Sequence, residues 1–172
     1  MSVFKRIAVG VLGAAVALGA VGCESKPSMG EFNVTVSLAD GFTPTESFEV
    51  DLVGVPDGED KTAIESESVD SYFGAMNEYR TNLQRRIQLV FRPNGPRSQH
   101  VDLTRRGSHY VDWKNANVMH LVVLADLPSP SGPDLRRRTL TLDKRRWKRK
   151  NLEFVIDSQK VSPVYSPEPE KN

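Results

Sequence analysis

Apolar and polar residues alternate along most of this chain with a period of two, the spacing of a strand that buries one face. Phe32, Val34, Val36 and Leu38 alternate with Asn33, Thr35 and Ser37. Phe48, Val50 and Leu52 alternate with Glu49 and Asp51, and Gly54 and Pro56 end that run. Ile87, Leu89 and Phe91 follow the same rule, and Pro93-Asn94-Gly95-Pro96 then marks a turn. Val101 and Leu103 flank Asp102 in a short strand. Val118 to Leu127 is apolar almost throughout and predicts a central strand covered on both faces. Leu140 and Leu142, then Leu152, Phe154 and Ile156, complete about seven strands. Leu121, Val123, Phe154 and Ile156 are expected in the core. One segment departs from the rule. Val69, Tyr72, Phe73 and Met76 recur at spacings of three and four, which predicts one short helix over roughly 68–80. Short strands separated by Gly- and Pro-rich turns predict a mainly β protein, a single β-sandwich with one inserted helix.

The N-terminus has a different pattern. Lys5 and Arg6 precede sixteen residues without a charge, Ile7 to Gly22, and Cys23 follows directly. The run is shorter than the roughly 20 apolar residues a spanning helix needs, and nine of its residues are Gly or Ala, as before a processing site. Ala20-Val21-Gly22-Cys23 resembles the lipobox of bacterial lipoprotein signal peptides. The resemblance implies lipidation of Cys23, cleavage after Gly22 and a bacterial cell-envelope location. In such proteins an Asp after the cysteine tends to retain the chain in the inner membrane. Glu24 stands there, which points to the periplasmic side of an outer membrane if the source is Gram-negative. The expected organisation is a signal peptide over 1–22, a lipidated N-terminus and tether over 23–30, a sandwich over 31–161, and a Pro-containing disordered tail over 162–172.

Charge narrows the function classes. Without residues 1–22 the chain has 21 basic and 22 acidic residues. That balance is not the net basic domain of a nucleic-acid binder. Cys23 is the only cysteine, so no disulfide or thiolate metal site is expected, and no cofactor is implied. The charges are segregated. Asp40 to Asp70 holds ten acids and one base, and Arg136 to Lys150 holds nine bases and one acid. The nine are Arg136, Arg137, Arg138, Lys144, Arg145, Arg146, Lys148, Arg149 and Lys150. They form a candidate docking surface, on or beside a hairpin of the last two strands, for anionic headgroups, phosphate-bearing glycans or an acidic protein loop. The alternative is a pair of solvated or mutually neutralising blocks. Trp113 is a candidate surface anchor for a partner or, equally, a core residue at the sandwich edge. Leu140, Leu142 and Trp147 are expected to point inward.

Catalytic signals are sparse. No G-x-S-x-G elbow, phosphate loop or H-E-x-x-H is present. His100 and His109 lie near Asp102 and Asp112, which keeps a metal-dependent or hydrolytic enzyme as an alternative reading.

Three fragments carry a wider resemblance: Ser47-Phe48-Glu49-Val50-Asp51-Leu52, the strand Leu121 to Leu127, and Trp147 before the last expected strand. With them the chain resembles the outer-membrane lipoprotein of type VI secretion systems, whose fold is transthyretin-like. That resemblance implies a non-enzymatic scaffold whose sandwich binds another envelope component. About twenty residues, including a Pro/Ser-rich loop at 128–133 and the arginine run, separate the apolar strand from Trp147. In the family this separation is much shorter, and no partner-binding residue is carried across.

Overall fold

The computed structural model describes residues 27–147 and 149–165. Cys23, the expected signal peptide, Lys148 and most of the expected tail lie outside the described residues. Eight strands form two four-stranded sheets. β1 (Phe32–Leu38), β4 (Ser98–Leu103), β7 (Asn151–Ile156) and β8 (Val161–Pro163) make one sheet in the order β4-β1-β7-β8. β2 (Phe48–Pro56), β3 (Arg86–Phe91), β5 (Val118–Ala125) and β6 (Arg137–Thr141) make the other in the order β3-β2-β5-β6. All pairings are antiparallel except β1 with β7, which is parallel and sets Val34 beside Leu152 and Val36 beside Phe154.

The expected mainly β sandwich is the observed one, with an eighth strand added. The inner faces meet in one core that holds Leu121, Val123, Phe154 and Ile156, each at most 1% exposed. Phe48 stacks on Phe91 there, with ring centroids 5.4 Å apart. Gly54, on the inner face of β2, lies against the indole of Trp113. A Cβ built on Gly54 would sit 2.7 Å from that ring.

The helices are more numerous than the sequence pattern predicted. The expected helix over 68–80 is instead α2 (Val69–Tyr72) and α3 (Glu78–Asn82), separated by a turn at Gly74. Asn77 starts the second piece by accepting the Arg80 N–H at 2.7 Å, and Met76 is exposed. Two further helices, α1 (Glu59–Ser66) and α4 (Ser108–Asn115), have too few apolar residues to show a period. Their buried contacts are narrow: Ile64 from α1, Tyr110 and Trp113 from α4. α1 and α2 cover the outer face of the second sheet, where Ile64, Val69 and Tyr72 pack on Val53, Val55, Val122 and Leu124. This second layer explains why β2 and β5 are buried on both faces.

β4 begins three residues earlier than its apolar pattern. Its first half pairs through polar side chains, Ser37 with Ser98 and Thr35 with His100, both at 2.9 Å. β8 includes Ser162 and Pro163, which the sequence reading put in the tail. Val161 is fully buried and its N–H donates to the Leu135 carbonyl at 3.0 Å.

Candidate functional site

Folding divides the described cations of the basic run into two groups. The first group is structural. Arg136 is 2% exposed. Its guanidinium donates to Asp70 at 2.8 Å, to Asp134 at 2.7 Å and to the Leu127 carbonyl at 2.9 Å. These hydrogen bonds hold the carboxyls of Asp134 and Asp70 below the usual carboxylate range, and they hold Arg136 above its ordinary pKa. Arg137 donates to the carbonyls of Glu65 and Glu67, at the C-terminal end of α1, where a cation is favoured. Arg138 donates to the Val161 carbonyl at 2.8 Å and so links β6 to β8 across the sheets. Arg136, Arg137 and Arg138 are therefore corrected from an open docking surface to staples. They join the basic run to the acidic one.

The second group follows β6. Lys144–Arg146 form a single 3-10 turn capped by Asp143, whose carboxylate accepts the Arg145 N–H at 3.1 Å. Asp143 is 4% exposed. Burial works to raise its pKa, but hydrogen bonds from Arg145 outweigh burial and leave it lowered. Lys144, Arg145, Arg149 and Lys150 are exposed. The Arg149 guanidinium lies over the Tyr165 ring, 4.2 Å from its centroid. Leu140 and Leu142 are buried as expected. Trp147 is half-buried. It meets Phe32 edge-on at 6.2 Å and donates from Nε1 to the Thr141 carbonyl at 2.7 Å. The expected hairpin is absent, because β6 and β7 belong to different sheets. The segment between them crosses the end of the sandwich.

Trp113 is 1% exposed and is a core residue, which removes it from the candidate surface. His100 bonds Thr35 on the face of the first sheet, and His109 and Asp112 lie on α4. Asp102 accepts the Thr104 N–H at 2.8 Å at the end of β4. Among the described residues, no three His, Asp or Glu side chains are grouped to hold a metal ion.

A cleft of about 950 Å³ opens at the opposite end of the sandwich. The β1–β2 loop, residues 39–47, forms much of its wall with Phe48, and Asp70 and residues 126–129 and 157–158 supply the rest. Five carboxylates line it, Asp40, Glu46, Asp70, Asp126 and Asp157, of which Asp70 is held by Arg136 and Asp157 lies 3.7 Å from Lys160 Nζ. Phe42 contributes an aromatic wall beside Phe48. Arg97 fixes the loop from behind by donating to the carbonyls of Ala39 at 2.7 Å and Phe42 at 3.1 Å. Burial, and then the charge of Glu49, push the Asp126 carboxyl above its usual range. The sequence reading missed this cleft. Its walls come from segments about a hundred residues apart.

The two sheets and the helical layer on one outer face define a two-layer β-sandwich domain. No protein-family model matches the chain, and no curated protein matches it in sequence. Solved structures do match in fold. The type VI secretion lipoprotein TssJ1 from Pseudomonas aeruginosa is similar at 12% identity, with a TM-score of 0.51 over 85% of this chain and 100% of that one. Lip of Serratia marcescens, a membrane-bound component of the type VI secretion system, is similar at 11% identity, with a TM-score of 0.50 over 82% and 99%. A chain of a type VI membrane complex is similar at 13% identity, with a TM-score of 0.55 over 80% and 100%.

Proposed function

We propose that this protein is a lipid-anchored, non-enzymatic scaffold lipoprotein of a secretion-type envelope complex. In this reading Cys23 holds it to the membrane and its sandwich binds another envelope protein. The observation that carries the reading is the shared fold. A lipoprotein and a membrane-bound component of type VI secretion systems align over four-fifths or more of this chain and nearly all of their own length. The lone cysteine after a charge-free run supports the anchor. The cleft is the partner site. Large concave surfaces with convergent polar groups are where binding concentrates. This one lies at the far end of β1 from the point where the chain enters the domain, so anchoring leaves it open. Its carboxylates and Phe42 suit a basic segment with an apolar side chain.

The test is a photo-crosslinking residue at Thr43 or Thr45, introduced in the native host, with adducts identified by mass spectrometry. An adduct with a membrane protein of a secretion assembly, lost in the triple variant Glu46→Lys, Asp126→Lys, Asp157→Lys, is expected. Adducts confined to soluble enzymes would overturn the reading. Mass spectrometry of the N-terminal peptide tests the anchor separately, and an unmodified Cys23 in the mature protein would sink it.

A further inference from the structure

The exposed cations surround the segment where the chain enters the sandwich. Met29 bridges to Asp143, the Gly30 N–H donates to the Leu142 carbonyl at 2.9 Å, and the Lys144 N–H donates to the Ser28 carbonyl at 3.1 Å. The Asn33 N–H donates to the Lys150 carbonyl at 2.7 Å. From the other side, Arg105 pairs with Glu31 at 2.9 Å while its side chain stays 74% exposed. Lys144, Arg145, Arg149, Lys150, Arg105 and Arg106 therefore ring residues 28–33. The two acids inside the ring, Glu31 and Asp143, are already engaged by Arg105 and Arg145. Other acids at this end are also engaged. Asp57 pairs with His120, and Asp60 pairs with Arg85 at 3.0 Å. Asp102, opposite Asn33, accepts the Thr104 N–H at 2.8 Å and feels the charge of Arg106, and Asp112 on α4 is exposed. The cleft with its five carboxylates lies at the other end of β1, about 20 Å away at ~3.3 Å per residue.

We propose that this basic end docks on an anionic lipid surface and, with the acyl chains on Cys23, orients the sandwich with its cleft away from the bilayer. The inference rests on the anchored reading above. Geometry selects lipid over the other anionic partners. Residues 23–27 reach at most about 18 Å when fully extended, and Ser28 is already held in the domain. The ring is thus kept within about two screening lengths of the headgroups, each ~8–10 Å at physiological salt, even when the tether is fully extended. One acyl chain with a basic patch is a known sufficient pair for stable attachment. Each Lys or Arg close to an anionic leaflet favours the docked state by about fivefold. Acidic loops on the opposite end are repelled by the same surface, so the orientation has one sign.

The protein purified in detergent from membranes of its native host is added to preformed vesicles of phosphatidylcholine, alone or with one third phosphatidylglycerol. Lysine acetylation by a water-soluble reagent is read by mass spectrometry. Lys160, at the β7–β8 turn beside the cleft, is the internal reference. Acetylation of Lys144 and Lys150 relative to Lys160 should fall by about fivefold or more on anionic vesicles, stay unchanged on neutral ones, and recover in 1 M salt. In the variant Arg105→Glu, Arg106→Glu, Arg149→Glu the protection of Lys150 should disappear while the melting temperature holds. Equal acetylation on both vesicles overturns the proposal. Protection that appears only in native envelope fragments, and not on anionic vesicles, assigns the surface to an acidic protein and also overturns it. A protein that leaves both vesicles with unmodified Cys23 refutes the anchored reading instead.

Discussion

Gly54 and Trp113 show how one side chain can depend on the lack of another. The indole occupies the space that a Cβ on β2 would need, and the nearest contacts would be 2.7, 2.8 and 2.9 Å. Gly54→Ala should therefore destabilise the fold by about 1–3 kcal/mol through overpacking, read as a fall in the midpoint of urea unfolding. Asp51 is the second decisive residue. It has no exposed surface, and it accepts from Tyr72 Oη at 2.9 Å, Arg80 Nε at 2.8 Å and Arg86 Nη1 at 3.2 Å. Burial, and then the Asp51 charge, push the Tyr72 hydroxyl above its ordinary pKa. Burial alone would lower the pKa of Arg80, but hydrogen bonds to Asp51 and Glu49 outweigh it and raise it. Asp51→Ala strands two guanidinium groups under the helical layer. The expected loss is about 3 kcal/mol, near the lower end for a broken buried pair because Arg80 keeps Glu49. Asp51→Asn retains an acceptor and should lose less. Equal unfolding midpoints for wild type and Asp51→Ala would contradict this account.

At the scale of elements, the triad of Arg136, Asp70 and Asp134 ties the start of β6 to α2. Both carboxyls have depressed pKa values in the folded state. Their contribution to stability is therefore present above the ordinary carboxylate pKa and lost as pH falls through the lowered value. Thermal unfolding of wild type should weaken as pH drops from about 5 toward 2. In Arg136→Gln the wild-type advantage should be largest near neutral pH and shrink over that window, and a constant difference would exclude this linkage. Strands were legible in the sequence wherever one face meets the core, because burial writes a period of two. Phe32 to Leu38 and Asn151 to Ile156 are examples. The first half of β4 was not legible, since Ser98 and His100 pair by hydrogen bonding on a solvated face. α1 and α4 were hidden because each buries only one or two side chains. The arginines of β6 read as surface because nothing in a local window reveals that Asp70, 66 residues away, will meet Arg136. The cleft was illegible for the same reason of distance.

For the whole molecule, Phe154 and Leu121 report on the joint between the sheets. Each is at most 1% exposed, and truncation of either to Ala should cost about 2–5 kcal/mol, measured by chemical denaturation. The parallel pairing of β1 with β7 has a further effect, on the order of events during biogenesis. The first strand has only two neighbours, and they lie far ahead in the chain: Val34 pairs with Val101 and with Leu152. A chain emerging N-terminus first cannot close this sheet until nearly all of it is available. Such long-range pairing is slow, of order milliseconds to seconds. A chain ending at Lys150 should consequently show no protease-resistant core, whereas one ending at Tyr165 should resist like the full protein. If Cys23 is lipidated during export, the polypeptide is fastened before it can fold. Periplasmic holdases would then meet it as an unfolded client whose apolar strands are already crowded at the membrane surface.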